Sequence, residues 1–257
     1  MARIRGITGL GWRRELVFFL AAYGVYNLAR WVFVGDIDHA QEHARWIVDL
    51  ERDAGVAVER SVQRGLDSGA ATFVLSNVYL AAQLVVVPGS LIWLYRRSPE
   101  VYRVLRNTVL ATWLIAVPIF AIFPVAPPRL AGLGISDTVS QQAGVALTGH
   151  STMFYNPFAA VPSLHVGFAA AISVALYFAL RRPWARALAL LWGPLVAVSV
   201  VATGNHYVFD MAAGLLVTAL GYAAWRLATR LVEVPRHGQI GLLQARRPLA
   251  SMIVTRQ

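Results

Sequence analysis

Six stretches of this chain are each apolar for roughly the 20 residues that a helix needs to cross a ~30 Å hydrocarbon layer. They lie at about 16–34, 70–95, 105–123, 162–180, 187–203 and 207–227. Inside hydrocarbon every backbone N–H and C=O must be bonded within the protein, so runs of this length are expected to be helices. Composition agrees, with 57% hydrophobic residues and a mean hydropathy of +0.55. The expected fold is an all-α integral membrane bundle of six transmembrane helices, one domain over residues 1–257. The first run follows Arg13-Arg14 as a signal peptide's core would, but it is too long for one. No small-x-small cleavage site follows, so it reads as an uncleaved first span. Pro118 and Pro194 fall inside spans, where membrane bundles tolerate them, and are expected to kink the helices.

The connections carry the charge. All 23 basic residues are arginines, against 13 acids, for a net charge of +10. In a soluble protein that excess would raise the question of nucleic acid. Here the arginines sit in short loops between apolar runs, where they act as topology signals. Arg3, Arg5, Arg13 and Arg14 precede the first span, Arg96, Arg97, Arg103 and Arg106 follow the second, and Arg181, Arg182 and Arg186 follow the fourth. The segment 228–257 adds Arg230, Arg236, Arg246, Arg247 and Arg256. The first loop, 35–69, instead holds eight acids against four arginines, and the third has only Arg129 and Asp137 as charges. Six spans with both termini cytoplasmic satisfy every loop. The expected location is a bacterial plasma membrane. With no cysteine there is neither a disulfide nor a thiolate nucleophile or ligand.

Within the acidic first loop, 38–54 reads as an amphipathic helix capped by Asp36 or Asp38, with Trp46, Ile47 and Leu50 on its apolar side. It is expected to lie along the extracytoplasmic interface as a lid or rim. His39-Ala40-Gln41-Glu42-His43 in the same stretch fits the inverted zinc-protease pattern H-x-x-E-H. A zinc protease would also need a third ligand and a cleft, which nothing in the chain specifies, so no metal is expected. His150 and His237 have no evident partner and read as solvated loop residues.

Three short pieces fall where spans meet the extracytoplasmic side: Pro127-Pro128-Arg129, Pro162-Ser163-Leu164-His165 and His206-Tyr207-Val208-Phe209-Asp210. His206 and Asp210 are four apart, hence on one helical face. A carboxylate accepting Nδ1–H would fix the imidazole tautomer and leave Nε2 free as a nucleophile. Pro162 suits a first helical turn, and the free amides after it, with Ser163 and His165, make an anion site. Arg129, stiffened by two prolines, suits phosphate better than a lysine would. Each piece also has a plainer account: a structural His–Asp pair, a helix cap with a half-buried histidine, and an arginine snorkelling to headgroups. Their convergence at one level of the membrane favours a site.

Phe123-Pro124-Val125-Ala126-Pro127-Pro128-Arg129, Val161-Pro162-Ser163-Leu164-His165 and Gly204-Asn205-His206-Tyr207-Val208-Phe209-Asp210 resemble the signature of the type 2 phosphatidic acid phosphatase (PAP2) superfamily. The most similar branch holds inositol phosphorylceramide synthases and bacterial inositol-phosphotransferase-like proteins. The resemblance spans roughly 70–227 and implies a transfer in two steps without metal or cofactor. His206, oriented by Asp210, would form a phosphohistidine, and His165 would protonate the leaving oxygen and then activate the acceptor. Arg129, Ser163 and the amides near Leu164 would hold the phosphoryl oxygens.

The chain also departs from the common phosphatases of that superfamily. Leu164 replaces the glycine of their PSGH, Ile122 stands where they carry a lysine, and Val200 where they carry an arginine. Thr203 and Asn205 are candidates to supply some of the lost hydrogen bonds, but not the charge. Fewer cations favour a phosphodiester over a phosphomonoester, and so transfer to a lipid or polyol alcohol over hydrolysis. A plain lipid or polyprenyl phosphate phosphatase, or a flippase-like lipid binder without chemistry, are the other readings. The 130–160 loop, rich in Gly, Ser and Thr, is expected to help choose the acceptor.

Overall fold

The computed structural model describes residues 11–32, 36–142 and 156–233, and these are almost entirely helical. In chain order they form α1 (Trp12–Val32), α2 (Ile37–Asp53), α3 (Glu59–Gly65) and α4 (Gly69–Ala81). A π-helical stretch, Ala82–Val86, joins α4 to α5 (Val87–Arg97), and α6 (Pro99–Ile122) follows. Beyond the 3-10 turn Pro128–Leu130 come α7 (Thr138–Gln142), α8 (Leu164–Ala179), α9 (Pro183–Ala202) and α10 (Val208–Glu233). The end of the first expected span, residues 143–155 of the acceptor loop, His150, His237 and the arginines after Glu233 lie outside the described residues.

Among the described residues, four helices are long and apolar enough to cross a membrane: Gly69–Arg97, Pro99–Ile122, Pro183–Ala202 and Val208–Leu231. Their outward faces are apolar rather than polar: Leu114 and Ile122 are 74% and 79% exposed, and Leu84, Leu191 and Leu216 are also bare. Only lipid covers such faces without penalty, so this is an integral membrane protein. Pro118 and Pro194 lie within the continuous helices α6 and α9. At sixteen residues α8 is shorter than the spans around it, and it is the centre of the bundle. One side of it packs Phe168, Ile172 and Ala175 against Leu91, Leu94, Leu105 and Val109 of α5 and α6. The other packs Val166 and Ala169 against Val196, Val200 and Val201 of α9. At α1, the buried Glu15 takes hydrogen bonds from Arg106 (2.5 Å) and the Tyr102 hydroxyl (2.8 Å), fastening that helix to α6.

The amphipathic helix is present as α2, capped by Asp36, whose carboxylate accepts from the Asp38 N–H at 3.3 Å. Its buried face differs from the expected one. Ala40, Ala44, Ile47, Val48 and Glu51 face inward, while Trp46 and Leu50 are exposed. The two alanines let the backbone approach closely, and α2 docks on the chain around Val125, Ala126, Ala160, Val161 and Tyr207. It is also tied there: the Ala126 N–H donates to the Ala40 carbonyl (2.9 Å) and Gln41 to the Leu130 carbonyl (3.1 Å). His43 Nδ1 donates to the Pro124 carbonyl (2.7 Å), and its ring stacks on Phe123. His43 of the H-x-x-E-H stretch is therefore a strut between α2 and the 124–130 segment.

Candidate active site

The three motif segments meet at the end of the bundle covered by α2, each held by backbone bonds to the others. The Val125 N–H donates to the Phe158 carbonyl at 2.7 Å, forming a parallel bridge that sets the Pro127-Pro128-Arg129 segment beside the chain entering α8. The Arg129 N–H donates to the Gly204 carbonyl (3.0 Å), tying it to the turn before His206. Gly204 ends α9 with φ of +70°, and a Cβ there would lie 2.7 Å from Ile135 and 3.0 Å from the Ser136 carbonyl. Only glycine takes that conformation without strain, and the turn delivers Asn205 and His206 into the interior.

Pro162 does not occupy the first turn of a helix. It precedes the N-cap, Ser163, and α8 begins at Leu164. The Ser163 hydroxyl accepts from the Val166 N–H, which satisfies an orphan donor of the helix end and leaves its own O–H to donate. The Ser163 N–H donates to the Asp210 carbonyl at 3.0 Å, so the starts of α8 and α10 are bonded to each other. Their crossing depends on Gly214, where a Cβ would sit 2.2 Å from the Ser163 carbonyl oxygen. Gly214→Ala is expected to cost about 1–3 kcal/mol through overpacking. It should also lower turnover about a hundredfold by moving α8 against α10. Thermal unfolding and steady-state rates in detergent check both, and a fully active Gly214→Ala enzyme would show the crossing to be slack.

At the centre, His206 is buried, and its Nδ1 lies 2.9 Å from the Ala160 carbonyl and 3.1 Å from Asp210 Oδ2. A carbonyl can only accept, so Nδ1 carries the proton and Nε2 holds the lone pair. Burial, aided by the Arg129 charge, pushes this imidazole down to about 3, so it is neutral and nucleophilic at physiological pH. Asp210 Oδ2 also accepts the Tyr207 N–H (2.9 Å), and its Oδ1 is buried without a partner. The His165 ring stands 5.9 Å from that of His206, centroid to centroid, and is stacked on Tyr79 at 4.2 Å. Tyr79 lies just before the π-helical stretch of the second long helix, a widening of the turn of a kind that recurs at functional sites.

Arg129, with its side chain 3% exposed, donates to Asn205 Oδ1 through NH1 and pairs through Nε with Asp137 at 3.5 Å. Its Nε is a buried donor without a hydrogen-bond partner, which an anion would satisfy. The Asn205 amide donates in turn to Thr203 Oγ1 (2.9 Å), whose hydroxyl donates to the Ser199 carbonyl (2.7 Å). Thr203 thus acts on Arg129 through Asn205. Ile122 points out of the bundle and Val200 is packed in the core beside α8, so neither place brings a polar group to this centre. Among the described residues, no three His, Cys, Asp or Glu side chains gather as a metal site.

Several site residues were not legible as such. Asp137 was visible only as a loop charge, and Tyr79 only as one aromatic in a span. Glu51 and Glu59 were counted among the acids of the first loop, yet both are buried against the start of α10. Glu51 falls on the same helical stripe as Ala40, Ala44 and Ile47, a spacing that could have revealed its burial.

A family model described as the PAP2 superfamily matches residues 45–224, a span that contains all three motif segments. No curated protein and no solved structure matches the chain.

Proposed function

The chain belongs to the PAP2 superfamily, and from that premise we propose that it transfers a phosphoryl-linked group from a lipid to an alcohol through a phosphohistidine on His206. One observation carries the reading: the buried His206 has its Nδ1–H engaged by both the Ala160 carbonyl and Asp210, which leaves Nε2 as the reactive nitrogen beside His165. Nε2 attacks phosphorus, a P–N bond forms and the P–O bond to the leaving alcohol breaks. His165 gives its proton to that oxygen. In the second step His165 takes the proton of the incoming hydroxyl, whose oxygen displaces His206. Arg129, the Ser163 hydroxyl and the amide of Leu164 hold the oxygens that gain charge on the way, with Asn205 and Thr203 orienting the guanidinium.

Transfer is favoured over hydrolysis by charge. A phosphodiester carries one charge fewer than a phosphomonoester dianion, and Arg129, itself paired with Asp137, is the one cation the motifs bring, since Ile122 and Val200 add none. This agrees with the branch of inositol phosphorylceramide synthases and inositol-phosphotransferase-like proteins. We read the complete chain as six spans with both termini cytoplasmic and α2 on the extracytoplasmic face of a bacterial plasma membrane. The site then lies at headgroup depth, where a lipid phosphate sits.

The test is an acid-labile, base-stable phosphoenzyme trapped on the purified protein from radiolabelled lipid phosphomonoesters and phosphodiesters, in EDTA throughout. Label from a diester, discharged by an alcohol faster than by water, is the expected result. Label from monoesters alone, released by water, would make the protein a phosphatase. A requirement for added zinc would remove the metal-free route.

A further inference from the structure

An α-helix begins with backbone N–H groups that have no partner within it. At the start of α10, the helix that follows His206 and carries Asp210, the N–H of Tyr207 just before the helix and the first two within it are each taken by a different carboxyl group. The Tyr207 N–H goes to Asp210 Oδ2 (2.9 Å), the Val208 N–H to Glu59 Oε1 (3.0 Å) and the Phe209 N–H to Glu51 Oε1 (2.7 Å). Asp210 reaches back in the manner of a capping box. Glu51 and Glu59 come from elsewhere, α2 and α3, across 158 and 149 residues of chain.

Neither glutamate is a solvated rim charge: Glu51 is 2% exposed and Glu59 6%. Their carboxyl groups cap neighbouring amides of one helical turn, Glu59 on Val208 and Glu51 on Phe209. The second oxygen of Glu51, Oε2, is buried without a hydrogen-bond partner. The charges that bear on Glu51 are Glu59 from α3 and Asp210 from α10, both of its own sign, and the Tyr207 phenol is the other titratable group beside the pair.

We propose that Glu51 and Glu59 are positioning residues for the nucleophile, a buried carboxyl pair that clamps the first turn of α10 and so holds His206 and Asp210 in register with α8. The catalytic part of this rests on the phosphohistidine reading; the clamp itself does not. Burial, with Glu59 alongside, raises Glu51 to about 8. Ionisation of Glu51 puts a charge in a buried place beside Glu59 and Asp210, and the clamp loosens as pH rises through that value. A carboxyl group raised in this way adds stability that is full below its ordinary value near 4.5 and lost as pH rises through about 8.

The experiment compares wild type, Glu51→Gln and Glu51→Ala as full-length protein in detergent. Three readouts are taken from pH 5 to 9: the kcat against KM split, the Tm, and amide hydrogen exchange at Val208 and Phe209. Glutamine keeps the acceptor for Phe209 and cannot ionise. It should hold kcat near wild type at neutral pH while abolishing the alkaline fall in kcat and Tm. Alanine should lower kcat about tenfold with KM unchanged and speed exchange at both amides. A Glu51→Gln protein that keeps the alkaline fall overturns the proposal, as does a Glu51→Ala protein with wild-type kcat and exchange. Should Glu51→Ala fail to fold, the comparison of Glu51→Gln with wild type decides. If the wild type turns over no lipid phosphate at all, the functional reading fails, while Tm and exchange still decide whether the clamp exists.

Discussion

Replacing His206 by glutamine is expected to reduce turnover to background, a loss on the order of 10⁶-fold if the residue is the nucleophile of a covalent mechanism. No phosphoenzyme should form on that variant with any donor. The companion substitution, Asp210→Asn, should cost far less than the ~10⁴-fold typical of a removed orienting carboxylate. The reason is local: the Ala160 carbonyl, 2.9 Å from Nδ1, still fixes the tautomer when the carboxylate is gone. A loss of about 10²-fold is therefore expected for Asp210→Asn, since charge stabilisation of the imidazole is lost and its orientation is not. Single-turnover labelling of the two variants separates these roles. A His206→Gln protein that still acquires label would assign the attack to another group.

The second large effect is expected at Arg129. Removing it as Arg129→Ala should lower kcat/KM by about 10²–10³-fold, the usual cost of losing a preorganised group aimed at transition-state charge. Two features sharpen the expectation. Asp137 pairs with Arg129 Nε, so the alanine variant leaves that carboxylate facing an anionic substrate. Adding Asp137→Asn to Arg129→Ala should then recover part of the loss, a coupling that a double-mutant cycle measures. Arg129→Lys keeps a charge but cannot engage Asn205 and Asp137 together, and is expected to fall between wild type and alanine. Equal activity of Arg129→Lys and Arg129→Ala would mean that geometry, not charge, is the contribution.

Helices were the most legible part of this protein because the bilayer imposes a length on them. The apolar runs at 70–95, 105–123, 187–203 and 207–227 correspond to Gly69–Arg97, Pro99–Ile122, Pro183–Ala202 and Val208–Leu231. The helix ends slipped where polar residues continue a helix past its apolar run, as Glu100 and Arg103 do in α6. Pro162 was misplaced because a proline is equally at home just before an N-cap, and Ser163 is the better capping residue. The superfamily match and the convergence of Arg129, Ser163, His165, His206 and Asp210 were readable because their motifs are local. What was not readable is long-range. Asp137 on Arg129, Tyr79 under His165, the Ala160 carbonyl on His206 and the two glutamates on α10 all join segments far apart in sequence. Glu51 and Glu59 run against the rule that acidic side chains between apolar spans are solvated.

Helix α2 is bonded to the Pro124, Ala126 and Leu130 segments and to the first turn of α10. A cover nailed down at four corners does not swing open between turnovers. With α2 in place, a lipid donor would come to the site from the side, between helices, rather than past the cover. Under the proposed chemistry this makes access the arbiter of outcome. Water is scarce along such a route and membrane-borne alcohols are abundant, so a reactive phosphohistidine would survive long enough to meet a hydroxyl it can use.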